Sequence, residues 1–279
     1  MDVETLILNL IQMFVIAFGA YKSIRHIKDK GSSFVLIFFV YALLCYFLGD
    51  LYYLATEIIR PDVRIPFGVD CIADMGVNLL LASLLNAVFN DKSENVTLEI
   101  IHSVIYAIAI TILWIVWAGE WTKDILGGIY FGYFLFVGIV SLKKSHAFPK
   151  KRRVALNVMA FTVLVMHYIT IFVPEDMASY YVNAVYIIMF IGIVWLAIIA
   201  IISLVKAIKS DDRDVAKQAV AVGFIMLIWS LNTLYTSDSV MYYIADVACT
   251  LALLIIIYAV TSLEEKRPKI LVERRANRS

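Results

Sequence analysis

Three aspartates stand inside apolar stretches of this chain: Asp50 in FLGDLYY, Asp74 in DCIADMG and Asp246 in MYYIADV. A charged side chain in hydrocarbon costs at least ~2.5–3.5 kcal/mol on insertion scales, so each of them needs a reason. On a helix, Tyr53 and Glu57 follow Asp50 at i+3 and i+7 and share its face. Asp70, Asp74, Asn78 and Asn86 fall near one stripe, and Tyr242 sits one turn from Asp246. Carboxylates grouped with tyrosines can hold a cation, through charge-assisted hydrogen bonds and through ring faces. Paired carboxylates can also perform general acid–base chemistry, and satisfied acids can simply pin helix register. The ligand-binding candidates are therefore Asp50, Tyr53, Glu57, Asp70, Asp74, Asn78, Tyr242 and Asp246. Asp50 and Asp74 flank one short connection, so their helices are expected to be neighbours and their carboxylates to face each other. No residue is assigned as catalytic.

Metal and cofactor chemistry finds no support in the spacing. Cys45, Cys71 and Cys249 all lie in apolar runs without a CxxC, so neither a zinc site nor a disulfide framework is indicated. His102 and His167 fall near opposite ends of their runs and read as packing residues rather than co-ligands. Phosphate-loop, dinucleotide and zinc-protease motifs do not occur. The expected cofactor and metal content is none.

The elements that position these groups follow from composition. The 279 residues are 62% hydrophobic and 17% charged, with a mean hydropathy of +0.85, against about 45–50% and about 25% in soluble domains. The excess falls in runs of about 20 residues, the length that crosses a ~30 Å hydrocarbon layer as helix. Nine spans are expected, at about 6–24, 34–57, 68–89, 98–118, 124–142, 154–173, 180–205, 215–235 and 240–261. Alternate connections differ in charge: 21 of the 24 Lys and Arg fall on the side that includes residues 143–153 and the tail. The positive-inside rule then puts the N-terminus outside and the C-terminus inside. The expected fold is an all-α, polytopic membrane bundle over residues 1–263, followed by a basic cytoplasmic tail at 264–279, in a cell membrane. Its inner basic loops suit anionic lipid headgroups, and nothing points to nucleic acid.

The chain also echoes itself. Ile72-Ala73-Asp74 returns as Ile244-Ala245-Asp246, with Asn232 where Asp50 stood, and weaker echoes surround Trp121 and Glu175. One helix followed by four hairpins of like orientation describes these echoes, which argues against the inverted repeats of many transporters. Gly128 and Gly132 have the GxxxG spacing of a close helix contact, expected within the chain rather than between copies.

The stretch FLGDLYYLATEIIRPDVRIPFGVDCIADMGVNLLL resembles the multipass sensory regions that precede diguanylate cyclase or kinase modules in many bacterial proteins. In those, a Gly-Asp ends one helix, a proline-containing loop follows and an Ala-Asp opens the next. The resemblance implies a membrane-embedded sensor of a small-molecule ligand. Because the chain carries no such output module, it also implies a separate cytoplasmic signalling partner. A second resemblance, to lysoplasmalogenase-like membrane hydrolases, rests on the Gly-Asp and a later Asp. It implies a lipid-cleaving alternative, although the position matching Asp50 in the later copy is Asn232 and the histidine expected after Gly-Asp is absent. Small-solute transport is the third reading.

Overall fold

A computed structural model describes residues 3–31, 33–59, 69–89, 96–119, 121–145, 148–210, 213–233 and 240–265. The side chains of some helical residues, Glu57, Asp70, Asn232 and Tyr242 among them, lie outside the described set. The described residues form nine helices and no strand: α1 (Val3–Lys30), α2 (Phe34–Ile59), α3 (Val69–Phe89), α4 (Thr97–Ala118), α5 (Trp121–Lys144), α6 (Lys150–Thr170), α7 (Glu175–Lys209), α8 (Arg213–Thr233) and α9 (Val240–Glu265). Eight of them are long and apolar enough to cross a membrane, and α8 is not among those eight. The basic tail lies, from residue 266 onward, outside the described residues.

Local chemistry explains the helix limits. Ser33 Oγ accepts a hydrogen bond from the Leu36 amide at 3.1 Å, satisfying an orphan donor at the start of α2. Gly119, at φ +71°, closes α4 in the left-handed conformation, its N–H returning to the Ile115 carbonyl. Pro149 and Pro174 precede the first residues of α6 and α7, where a missing N–H costs nothing. Two helices outrun their expected spans by nine residues each. α1 continues through its charged end, where Arg25 and Asp29 meet at 3.6 Å one turn apart. α7 runs for 35 residues, about 52 Å at 1.5 Å per residue.

α3 is the axis of the bundle. It packs against α2, α5, α8 and α9, and Leu79, Leu80, Leu81, Ala82, Leu84 and Leu85 on it are all buried. The main core joins these residues to Ile16 of α1, Phe39 and Leu43 of α2, Phe134 of α5 and Ile256 of α9. A smaller cluster gathers Phe148, Ile199, Ala200 and Val222 under α7 and α8. By contrast α4 and α6 lie at the periphery, with stripes such as Ile101, Ile105, Ile108 and Ile112 exposed along α4. An apolar surface of that kind suits lipid and not water.

Glycines set the closest helix approaches. A Cβ at Gly76 would stand 2.8 Å from the Tyr46 backbone nitrogen, and one at Gly49 would stand 3.0 Å from Ala73 Cβ, so α2 and α3 touch backbone to backbone. A Cβ at Gly132 would meet Ala107 Cβ at 2.7 Å, and Gly128 faces Thr111. The GxxxG pair thus serves the α4–α5 contact inside the chain.

Candidate polar site between α1, α2 and α9

The polar groups that converge come from three mutually packed helices, α1, α2 and α9. One end of the bundle is shared by the start of α1, the end of α2 and the start of α9. Asn9 and Asp246 each lie six residues from that end, Gln12, Asp50 and Cys249 nine, and Tyr46 thirteen. At 1.5 Å per residue this is a band about 9–20 Å deep. Its residue types are matched in depth although they are far apart in sequence.

Asp246 is 2% exposed, Gln12 3% and Asn9 7%. Gln12 Nε2 donates to the Tyr46 hydroxyl at 2.9 Å, tying α1 to α2. Asp50 and Asp246 lie within electrostatic reach of each other, and Tyr46 is within reach of both. Cys249 stands beside Asp246. Asp50 is half-buried as a residue, yet its Oδ2 is enclosed and finds no hydrogen-bond partner among the described residues, nor does Asn9 Nδ2. Two carboxylates from different helices, one buried and one half-buried, therefore lie near enough to feel each other's charge. Such a pair repels itself unless a proton or a cation compensates.

Of the eight candidates named from the sequence, Asp50 and Asp246 meet there. Asp74 is exposed on α3. Ala73 and Gly76 turn toward α2 to meet Gly49 and Tyr46, and the next residue after Ala73 is rotated by about 100° around the helix, away from that seam. Asn78 is half-buried on α3 and Tyr53 half-buried on α2. Glu57, Asp70 and Tyr242 fall among the side chains outside the described set. Asn86, at the other end of the α3 stripe, donates to the Tyr133 hydroxyl at 3.2 Å and so serves the α3–α5 contact.

Asn9, Gln12, Tyr46 and Cys249 are members that sequence reasoning missed. A signal for two of them was present. In α1 the buried positions Asn9, Gln12, Ile16 and Ser23 fall on one face at helical spacing, so the amides belong to the buried side of an otherwise apolar helix. Elsewhere the histidines act locally. His167 Nδ1 lies 3.0 Å from the Val163 carbonyl, with its ring 5.8 Å from that of Trp117. Among the described residues no three His, Cys, Asp or Glu side chains converge as a metal site would require. Comparison with protein families, curated proteins and solved structures finds no match to this chain.

Proposed function

We propose that the chain is a multipass membrane protein whose polar site between α1, α2 and α9 binds a small cationic or polar ligand, in a sensory or receptor-like role. The observation that carries this reading is the convergence of Asp50 and Asp246, from two helices, in a shielded band lined by Asn9, Gln12 and Tyr46. An ammonium-type cation fits this chemistry. Each carboxylate gives a charge-assisted contact, and the tyrosine ring and the amides complete the shell. Nine spans in a cell membrane, with the N-terminus outside, would make this site open outward. The division of 21 against three Lys and Arg between alternate connections supports that orientation. The hairpin echo of Ile72-Ala73-Asp74 in Ile244-Ala245-Asp246 supports the repeat, although Asp246 is buried and Asp74 exposed. A separate cytoplasmic partner would receive the signal, as the resemblance to sensory regions implies.

The test uses detergent-solubilised full-length protein and three probes, choline, Na⁺ and K⁺, read by thermal stability. A ligand at 100 times its Kd stabilises the folded state by about 2.7 kcal/mol. At least one probe should raise Tm, and Asp50→Asn and Asp246→Asn should each abolish that rise while the variants still fold. A rise that survives both substitutions, or no rise with any cation alongside higher basal stability in both variants, would show that the acids only pin helix register.

A further inference from the structure

The first turn of α6 carries Lys150, Lys151, Arg152 and Arg153 in succession, with no acid in that turn. Lys143 and Lys144 end α5 just before it. This corner is built rather than loose. Arg153 Nη1 donates to the Lys143 carbonyl at 2.8 Å, Lys143 Nζ meets Glu99 Oε1 at 2.8 Å, and Lys144 Nζ donates to the Phe89 carbonyl at 3.3 Å. Lys150, Lys151 and Arg152 are exposed at the rim.

The same face of α6 continues as apolar surface. Val154, Val158, Phe161, Val165 and Ile169 are 52%, 60%, 59%, 38% and 44% exposed. With Lys150 and Lys151 they fall within about 100° of arc, whereas Arg152 lies on the far side of the helix. From Val154 to Ile169 the stripe is about 22 Å long at 1.5 Å per residue, more than the ~15 Å of hydrocarbon in one leaflet. A cluster of cations is thus continuous with an acyl-sized apolar track on one helix face.

We propose that this face of α6 is a specific site for an anionic diacyl phospholipid, with the phosphate held by Lys150 and Lys151 and an acyl chain along Val154, Val158 and Phe161. Charge selects the occupant. A zwitterionic lipid offers no net charge to the cluster. A second copy of the chain would present its α6 in the same membrane orientation, bringing like clusters of cations together. The inference rests on the membrane-spanning reading and is independent of the acidic site.

The experiment titrates purified full-length protein in neutral detergent with phosphatidylglycerol or phosphatidylcholine and measures bound lipid by native mass spectrometry. Each cation near an anionic surface contributes about fivefold in affinity. The variant Lys150→Gln/Lys151→Gln should therefore bind phosphatidylglycerol on the order of 25-fold more weakly. Arg25→Gln/Lys28→Gln, altering exposed cations on α1, should leave that binding unchanged. In the wild-type protein, phosphatidylglycerol should bind far better than phosphatidylcholine, should weaken with added salt, and should not be displaced by millimolar inorganic phosphate. Equal binding of the two lipids, full displacement by inorganic phosphate, or equal losses in the α1 and α6 variants would each overturn the proposal. The wild-type comparisons decide it even if the double variant does not fold.

Discussion

Replacing Gly76 by alanine tests whether the α2–α3 seam positions the polar site. The added Cβ would stand 2.8 Å from the Tyr46 amide nitrogen and 3.0 Å from its Cα. Ordinary contact begins near 3.4 Å, so the backbones must separate by about 0.6 Å, and a helix backbone in a packed core yields poorly. Overpacking of this kind costs about 1–3 kcal/mol. The better helix propensity of alanine returns about 1 kcal/mol, leaving a net loss of up to about 2 kcal/mol. Gly138→Ala is the matched control: a Cβ there meets nothing within 4 Å, so only the propensity gain remains and stability should rise by up to about 1 kcal/mol. Thermal unfolding in one detergent should therefore rank Gly138→Ala, wild type and Gly76→Ala in descending order. Because Tyr46 receives the Gln12 hydrogen bond, Gly76→Ala should also weaken cation-dependent stabilisation. A Gly76→Ala protein as stable as Gly138→Ala would refute the account of the seam.

Gln12→Leu should leave the Tyr46 hydroxyl without its 2.9 Å partner and reduce stability by about 1 kcal/mol, measured as a Tm shift without change in helix content. Lys143→Met should cost on the order of 1 kcal/mol or less, since its 2.8 Å contact with Glu99 is partly solvent-screened, and the difference from wild type should shrink in high salt. Ser33→Ala should lower stability by about 0.5–2 kcal/mol through loss of the cap on the Leu36 amide, read by chemical denaturation. Cysteines introduced at residues 143–153 should resist an impermeant thiol reagent on intact cells while those at 174–179 react, and equal labelling would sink the orientation.

Helix positions were legible because a lipid-length apolar run between charged breaks leaves little freedom. Helix ends were less so. Apolar counting stops at about Ile24, whereas the α1 helix continues to Lys30. The candidate site was half legible. Asp50 and Asp246 stood out because an acid in an apolar run is costly wherever it points. Their pairing was not visible, because it depends on α9 packing beside α1 and α2 at the opposite end of the chain. Proximity in sequence favoured Asp74 instead, which is exposed on α3. Amides such as Asn9 and Gln12 carry a small enough cost that their burial does not announce itself in composition.

The contrast between the enclosed α3 and the peripheral α4 and α6 means that the chain carries two kinds of apolar sequence, under different constraints. Around Leu79–Leu85, where protein surrounds the helix on several sides, each side chain has a fixed volume to fill, and loss of a methylene leaves a gap that costs stability. Along Ile101–Ile112 and Val154–Val165, on the membrane-spanning reading, the neighbours would be fluid acyl chains that adapt to any shape. There leucine, isoleucine, valine and phenylalanine would be interchangeable, with only polarity forbidden. Sequences that diverge from this one while keeping its structure should therefore drift freely in α4 and α6 and change together in α3 and its partners.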